Sequence, residues 1–308
     1  MSSEPLRLTN SEMKDARRCW RKWMLGYYSG WKRKGEPLAG AAYTIGNRVH
    51  DALAYYYAGK GDPVEFAKAK AIEDAEKDPA GSKEIEKELD LVLAMLEGYM
   101  QWLEEEGFDQ DLEVIASETK VEVPLADTGI NLLAKLDARV RRLSTGAKLS
   151  LEHKTVGDLK ESPALALDTQ LLTQHLGEFL SRKPEDEYTA DGSLYNMLRK
   201  VKRTARSKPP YYHRIEIHHS TEELRNHWYH VLSIGFAILD KKARLDAGEN
   251  HQVVCPPNPT RDCKWDCPFL EPCKMMNRGE DYQSFLGEFY EVVDPLERYW
   301  ETVTVDGE

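Results

Sequence analysis

Glu152 and Lys154 stand two residues apart at the end of KLSLEHKT, residues 148–155. Leu149 and Leu151 alternate there with polar neighbours, so the segment reads as a strand that finishes on a carboxylate and an ammonium. Side chains alternate across a strand, which sends Glu152 and Lys154 to one face and His153 to the other. Asp137 lies in the preceding strand-like segment, NLLAKLDARVRRL. If the two segments pair as a hairpin around the turn residues STGA, with its centre between Ser144 and Thr145, Asp137 sits directly opposite Glu152. Two carboxylates so placed repel each other strongly unless a cation lies between them. An oxygen-rich site of this kind suits magnesium or manganese. Lys154 on the same side can orient and help deprotonate a water, or offset charge on a phosphate. A metal and a lysine in this arrangement are what phosphodiester hydrolysis requires. The competing reading of the E-x-K triplet alone is a Glu–Lys ladder on a surface strand.

These residues need elements to hold them. Residues 8–34 read as a helix opened by Thr9, Asn10 and Ser11, and residues 42–58 as a second, with Ile45, Val49, Leu53 and Tyr56 at helical spacing. One or two further helices fit 62–106. The period then changes to alternation in VIASETKVEVPL, NLLAKLDARVRRL and KLSLEHKT, broken by DTGI and STGA. A helix follows at about 163–181, then a strand at SLYNMLRK, a basic loop ending in Pro209 and Pro210, and a strand at YHRIEIHH. A long helix over about 221–246 leads into a cysteine-rich segment and a tail without clear pattern. Glu118, on the strand before Asp137, reads either as a residue in reach of the metal or as an exposed strand glutamate.

The chain has 308 residues with a net charge of −11, and 41% of it is hydrophobic, as in an ordinary globular protein. No run of about 18 apolar residues is present to span a membrane, and the N-terminus lacks a signal pattern, so the expected location is the cytoplasm. The acidic balance argues against general adhesion to nucleic acid, but charge is segregated. Residues 83–113 hold eleven acids against two lysines, whereas 199–208 hold six Lys or Arg and no acid. A basic run is either a solvated face or a grip on a phosphate backbone, and Arg199, Lys200, Lys202 and Arg203 are the candidates for that grip. Of the five cysteines, Cys263, Cys267 and Cys273 crowd into DCKWDCPFLEPC with C-x3-C-x5-C spacing. Such crowding fits a metal or iron–sulfur site; three unrelated buried thiols are the alternative. A non-enzymatic protein with a four-cysteine zinc site, binding nucleic acid or a partner, is a different class that the same cysteines allow.

Asp137 followed across a hairpin by Glu152-x-Lys154 resembles the PD-(D/E)XK nuclease superfamily. GNRVHDAL, with His50, resembles the G-x-x-x-H helix of its RecB-like branch, and DTQLLTQHLGEF resembles the Q-x-x-x-Y motif, with Gln170 at the Gln and Gln174 in place of the Tyr. Cys19 together with Cys263, Cys267 and Cys273 resembles the cysteine set of the iron–sulfur members, although the first gap of the trio is one residue longer than the common C-x2-C-x5-C. The motifs run in order from about Leu8 to Cys273. No helicase motif and no G-x-x-x-x-G-K-[ST] loop is present, so the similarity is to the stand-alone CRISPR-associated Cas-four-type exonucleases and their phage relatives.

The resemblance implies an α/β (α+β) restriction-endonuclease-like core with a central mixed sheet flanked by helices over 112–246. It adds an N-terminal helical region, 1–111, carrying Cys19 and His50, and a C-terminal cysteine-rich segment and tail, 247–308, the three making one integrated nuclease domain. It implies that Asp137 and Glu152 hold Mg2+ or Mn2+, joined by His50 and the backbone carbonyl of His153. Lys154 would position water, and Gln170 would orient Lys154 or the substrate. It implies a [4Fe-4S] cluster on Cys19, Cys263, Cys267 and Cys273, stapling the two ends of the domain; the longer first gap of the trio leaves open an alternative set with Cys255 in place of Cys19 or of Cys263, Cys19 being favoured. The implied activity is exonucleolytic cleavage of DNA single strands or ends in recombination, repair or spacer processing. The implied setting is a bacterial or phage-infected cell, with recombination or integrase proteins as partners.

Overall fold

The computed structural model of the protein describes residues 4–35, 42–159, 165, 167–182, 190–204 and 206–299. In chain order the elements are β1 (Leu6–Thr9), α1 (Asn10–Arg18), α2 (Trp20–Trp23), β2 (Trp31–Arg33), α3 (Ala42–Tyr57), α4 (Pro63–Lys77) and α5 (Ser82–Glu106). There follow β3 (Leu112–Pro124), β4 (Ile130–Arg142), β5 (Lys148–Val156), α6 (Thr169–Leu180), β6 (Gly192–Arg199), β7 (Tyr212–Ile217) and α7 (Thr221–Asp246). The chain closes with α8 (His251–Val254), α9 (Cys263–Asp266), α10 (Leu270–Arg278), α11 (Tyr282–Phe289) and β8 (Tyr290–Val292). Among the described residues no helix is long and apolar enough to cross a membrane.

The chain divides into two compact units. One comprises Met1–Glu36, Glu122–Leu133 and Arg225–Thr302; the other comprises Pro37–Val121, Ala134–Leu224 and Val303–Glu308. The second unit is an α/β layer structure, as the sequence led us to expect. Its strands β4, β5, β6 and β7 pair in that order, antiparallel, parallel and antiparallel, with β3 alongside β4. The β4–β5 ladder runs from Ala138–Leu151 to Arg141–Lys148 around a turn closed by the Arg142 amide on Ala147 O at 2.8 Å. Leu149 and Leu151 of β5, Ala138 and Val140 of β4, and Leu194 and Leu198 of β6 send their side chains to one face. There they bury Val49 and Leu53 of α3 and Val92, Leu96 and Tyr99 of α5. The other face carries Tyr195 and Met197, which pack with Leu171 of α6 and Ile217 of β7. Period-2 alternation thus sorts each strand between two helical layers.

The helix over 62–106 resolves into two, because Asp62 caps α4 and the chain turns at 78–81 before α5. Of the helix expected at about 163–181, residues 163, 164 and 166 lie outside the described residues. The helix itself, α6, begins at Thr169, with the Asp168 side chain capping it by accepting from the Gln170 amide. In the first unit the helix expected over 8–34 is interrupted. Leu6–Thr9 instead forms β1, parallel to Ile130–Leu133, and Cys19 adopts an extended backbone with φ −162° and ψ 114° that separates α1 from α2. Four residues of strand are too few to show a period, so the pairing with a distant segment overrode the helical pattern. The tail, patternless in sequence, forms α11 and β8, the latter antiparallel to β2.

Gly98 sits where α5 meets the β6–β7 connection. Tyr212 Oη donates to Met95 O at 2.9 Å, and Arg203 Nη2 to Gly98 O at 2.7 Å. A Cβ at position 98 would lie 2.4 Å from Tyr212 Oη and 2.7 Å from the Arg203 guanidinium carbon. Helix propensity alone makes Gly98→Ala stabilising by about 1 kcal/mol. The close approach makes us expect the reverse, a loss of about 1–3 kcal/mol in urea unfolding; a gain would show that the contact is slack.

Candidate active site

The ladder register places Asp137 opposite Glu152, as the hairpin argument required, since Ala138 pairs with Leu151 one step further in. The His153 amide, beyond the end of the ladder, donates to Asp137 Oδ2 at 2.8 Å. His50, from α3, brings Nδ1 to 3.5 Å from the same oxygen. Gly46, one helical turn earlier on α3, lets that helix approach β5: a Cβ there would be 3.1 Å from Thr155 Oγ1.

Glu152 is 2% exposed, and α6 answers it with two amides. Gln174 Nε2 donates to Glu152 Oε2 at 2.7 Å and to Lys135 O at 3.1 Å, and Gln170 Nε2 donates to Glu152 Oε1. The Oε1 of Gln170 accepts from Lys154 Nζ at 3.2 Å, so one amide links the carboxylate and the ammonium of the E-x-K pair. One turn further along α6, the Glu178 carboxylate accepts from both Nε and Nη2 of Arg139. Gln170, Gln174 and Glu178 therefore form a stripe at four-residue spacing that matches the polar face of β4 and β5.

The electrostatics follow from this burial. Burial, with Asp137 second, pushes the Glu152 carboxyl up, against the pull of His50, Gln174 and Lys154. Burial also works to raise Asp137, but His50 and the His153 amide outweigh it and hold its carboxyl below the usual range. His50, which burial alone would lower, is raised by Asp137. His153 points to the opposite face and is neutral: burial drops it to about 3. Its ring stacks on Tyr57 at 5.1 Å, and its Nδ1 accepts from Asn196 Nδ2 at 2.9 Å. Behind it, Arg214 donates to Asp109 at 2.7 Å, Tyr57 at 3.0 Å and Tyr99 at 2.8 Å, a satisfied buried network that fixes the back of β5.

Asp137, Glu152, Lys154, Gln170 and His50 are thus brought together, with the His153 backbone beside them. Glu118 is tied to Lys135 at 2.8 Å. The basic candidates fold back on α5 or on their own loop. Arg199 donates to Lys208 O at 3.0 Å, Lys202 pairs with Asp90 at 2.6 Å, and Arg203 lies over the rings of Tyr211 and Tyr212 at 5.4 and 5.2 Å; Lys200 follows directly after β6. In the sequence Gln174 marks only a departure from the Q-x-x-x-Y motif, and Arg139 and Glu178 belong to no motif. The signal for all three was the polar i, i+4, i+8 stripe on α6 and the inward-facing arginine on β4.

As the side chains stand, no three His, Cys, Asp or Glu among the described residues converge closely enough to hold a metal ion. Asp137 is turned to the His153 amide and Glu152 to its two glutamines. The donor chemistry nevertheless fits a hard divalent cation: two opposed carboxylates, an imidazole, and the Gln174 Oε1, which is buried with no partner of its own among the described residues. The cysteines are all free thiols in the first unit. The Asn258 amide points to Cys19 Sγ and the Thr260 amide to Cys263 Sγ, each at 3.4 Å. Cys267 lies within electrostatic reach of Cys263 and Cys19, and burial pushes its thiol up, as it does that of fully buried Cys255. Backbone amides aimed at sulfur suit thiolate ligands of a metal or cluster.

The family model of the PD-(D/E)XK nuclease superfamily matches residues 7–274, and the chain belongs to that superfamily. Its members are metal-dependent nucleases, which assigns this α/β fold a phosphodiester hydrolase's chemistry. No curated protein matches the chain. A solved structure described as the crystal structure of SSO0001 is similar over 65% of this chain and 78% of its own, with 16% identity and a TM-score of 0.30.

The raised Glu152 carboxyl sets the sign of a pH effect. In the metal-free protein its contribution to stability is present at low pH and is lost as pH rises from its ordinary value of 4.5 through the raised folded one. A divalent cation must displace that proton, so the rise in Tm produced by Mn2+ should grow from about pH 6 to about pH 8. A stabilisation independent of pH would show that Glu152 is not a ligand.

Proposed function

We propose that the chain is a metal-dependent deoxyribonuclease that works as an exonuclease on single-stranded DNA or DNA ends. The observation that carries this reading is the join of Glu152 to Lys154 through Gln170, directly across from Asp137. Asp137, Glu152, His50 and the His153 carbonyl would hold Mg2+ or Mn2+. Such a cation supplies Lewis-acid polarisation of the scissile phosphate and lowers the pKa of a water.

The remaining work falls to the chain itself. Gln174 and Gln170 hold the buried Glu152 carboxyl in place on the strand face opposite α6's polar stripe. The His153 amide fixes the rotamer of Asp137, and the histidine ring, locked by Tyr57 and Asn196, keeps that amide in place. Lys154, oriented by Gln170, positions the attacking water and offsets negative charge as the phosphorane forms. Arg199, Lys200, Lys202 and Arg203 are proposed to lie along the DNA backbone, where Arg199, Lys202 and Arg203 would exchange their present partners for phosphate. Cys19, Cys263, Cys267 and Cys273 would carry a [4Fe-4S] cluster that holds the N-terminal and C-terminal segments of the first unit together. The setting that fits is recombination, repair or spacer processing in the cytoplasm of a bacterial or phage-infected cell, alongside recombination or integrase proteins.

The test is release of label from end-labelled single- and double-stranded DNA with Mg2+ or Mn2+. Wild type should degrade one of these substrates, and Lys154→Ala should lose at least about 100-fold in rate while keeping its fold by circular dichroism. Wild-type turnover by Lys154→Ala would refute the assignment.

A further inference from the structure

Arg21, in α2, is 1% exposed and among the largest fully buried side chains of the protein. Among the described residues, none of its hydrogen-bond partners is a carboxylate. Nη1 donates to Asn277 Oδ1 at 2.6 Å and lies 3.7 Å from Cys273 Sγ, Nη2 donates to Gln252 Oε1, and Nε has no partner among the described residues. Its neighbours in sequence are balanced differently: Arg18 pairs with Asp266, and Lys22 with Asp15 at 2.7 Å. Amide oxygens solvate a guanidinium but do not neutralise it, and burying an uncompensated cation is costly. Among the described residues, the group within hydrogen-bond reach of Arg21 that can carry negative charge is the sulfur of Cys273. A second cation lies in the same unit: Lys241 donates to Val254 O at 2.6 Å, next to Cys255, and lies over the Trp20 ring at 4.6 Å, next to Cys19. Four cysteine thiolates ligating iron and sulfide make a centre with net negative charge, which this surround complements.

We propose that Arg21 is the buried counter-charge of a thiolate-ligated centre at these cysteines and the positioning residue for Cys273. This rests on the iron–sulfur reading above and extends it to the charge that such a centre needs from the protein. Arg21 is held by Asn277 and Gln252, from α10 and α8, so the same fork that balances the charge also fixes the helix carrying Cys273. The second amide contact from Gln252, Nε2 to Met276 O at 3.0 Å, closes that arrangement.

The experiment compares the full-length wild type, Arg21→Lys, Arg21→Gln and Asn277→Asp, each purified without oxygen. Iron, acid-labile sulfide, zinc and the midpoint potential of the visible chromophore are measured for each. Arg21→Gln removes the positive charge, and Asn277→Asp gives Arg21 a carboxylate of its own, so both lower the net charge at the centre by one. Both should move the midpoint potential to a more negative value and lose iron to a chelator several-fold faster, whereas Arg21→Lys should keep the wild-type potential. If Arg21→Gln fails to fold, Asn277→Asp, which leaves the arginine in place, still reads the charge effect.

A cluster-bearing wild type whose potential is unchanged in Asn277→Asp and in folded Arg21→Gln would overturn the proposal while leaving the cluster standing. A wild type that holds neither iron nor zinc would overturn the cluster reading and the proposal together. A wild type that holds zinc would overturn the cluster reading alone. Arg21 would then be judged by zinc release: several-fold faster loss from Asn277→Asp upholds the counter-charge, and an unchanged rate overturns it.

Discussion

The placement of a fully buried carboxylate opposite a second carboxylate is the constraint around which the second unit is arranged. Glu152 cannot face Asp137 at the end of a β ladder without compensation, because burial and like charge both oppose its ionisation. The protein meets that demand with the two amides of α6 on Glu152, and with the His153 amide and His50 on Asp137. Each of these partners fixes an element: Gln170 and Gln174 fix the rotation of α6, and His50 fixes α3. The site is therefore a condition on how both helical layers pack on the sheet rather than an ornament on a finished core.

The two faces of β5 divide the work. Leu149, Leu151 and His153 face α3 and α5, where His153 joins a closed network through Asn196, Tyr99, Arg214 and Asp109. Ser150, Glu152 and Lys154 alternate to the side that α6 covers. A rigid, satisfied network behind the strand leaves Glu152 and Lys154 little freedom to drift, which is what pre-organised hydrolysis of a phosphodiester requires.

The register of this hairpin was legible in the sequence because period-2 patterning and a turn rich in Ser, Thr and Gly together allow one pairing in which the apolar faces coincide. The links from His50 and Gln170 to the carboxylates were legible only through resemblance to a superfamily, since spacing alone cannot bring α3 and α6 to β5. Gln174, Arg139 and Glu178 were missed for a physical reason. The polar stripe on α6 is a local signal, but which strand residues it meets depends on the crossing of α6 over β4, a tertiary quantity that the stripe alone does not encode. The break at Cys19 was hidden too: the residues around it have helical character, and nothing local marks the extended backbone there. Strand β1 owes its existence to a parallel partner, Ile130–Leu133, far along the chain.

The central claim is that Asp137 and Glu152 form one cation site, and the direct measurement is anomalous X-ray scattering from crystals of the protein soaked in Mn2+. The account predicts a manganese peak between the Asp137 and Glu152 carboxylates and within ligand distance of His50, absent from Glu152→Gln crystals. Manganese elsewhere with none at this position, or a peak that survives Glu152→Gln undiminished, would contradict it.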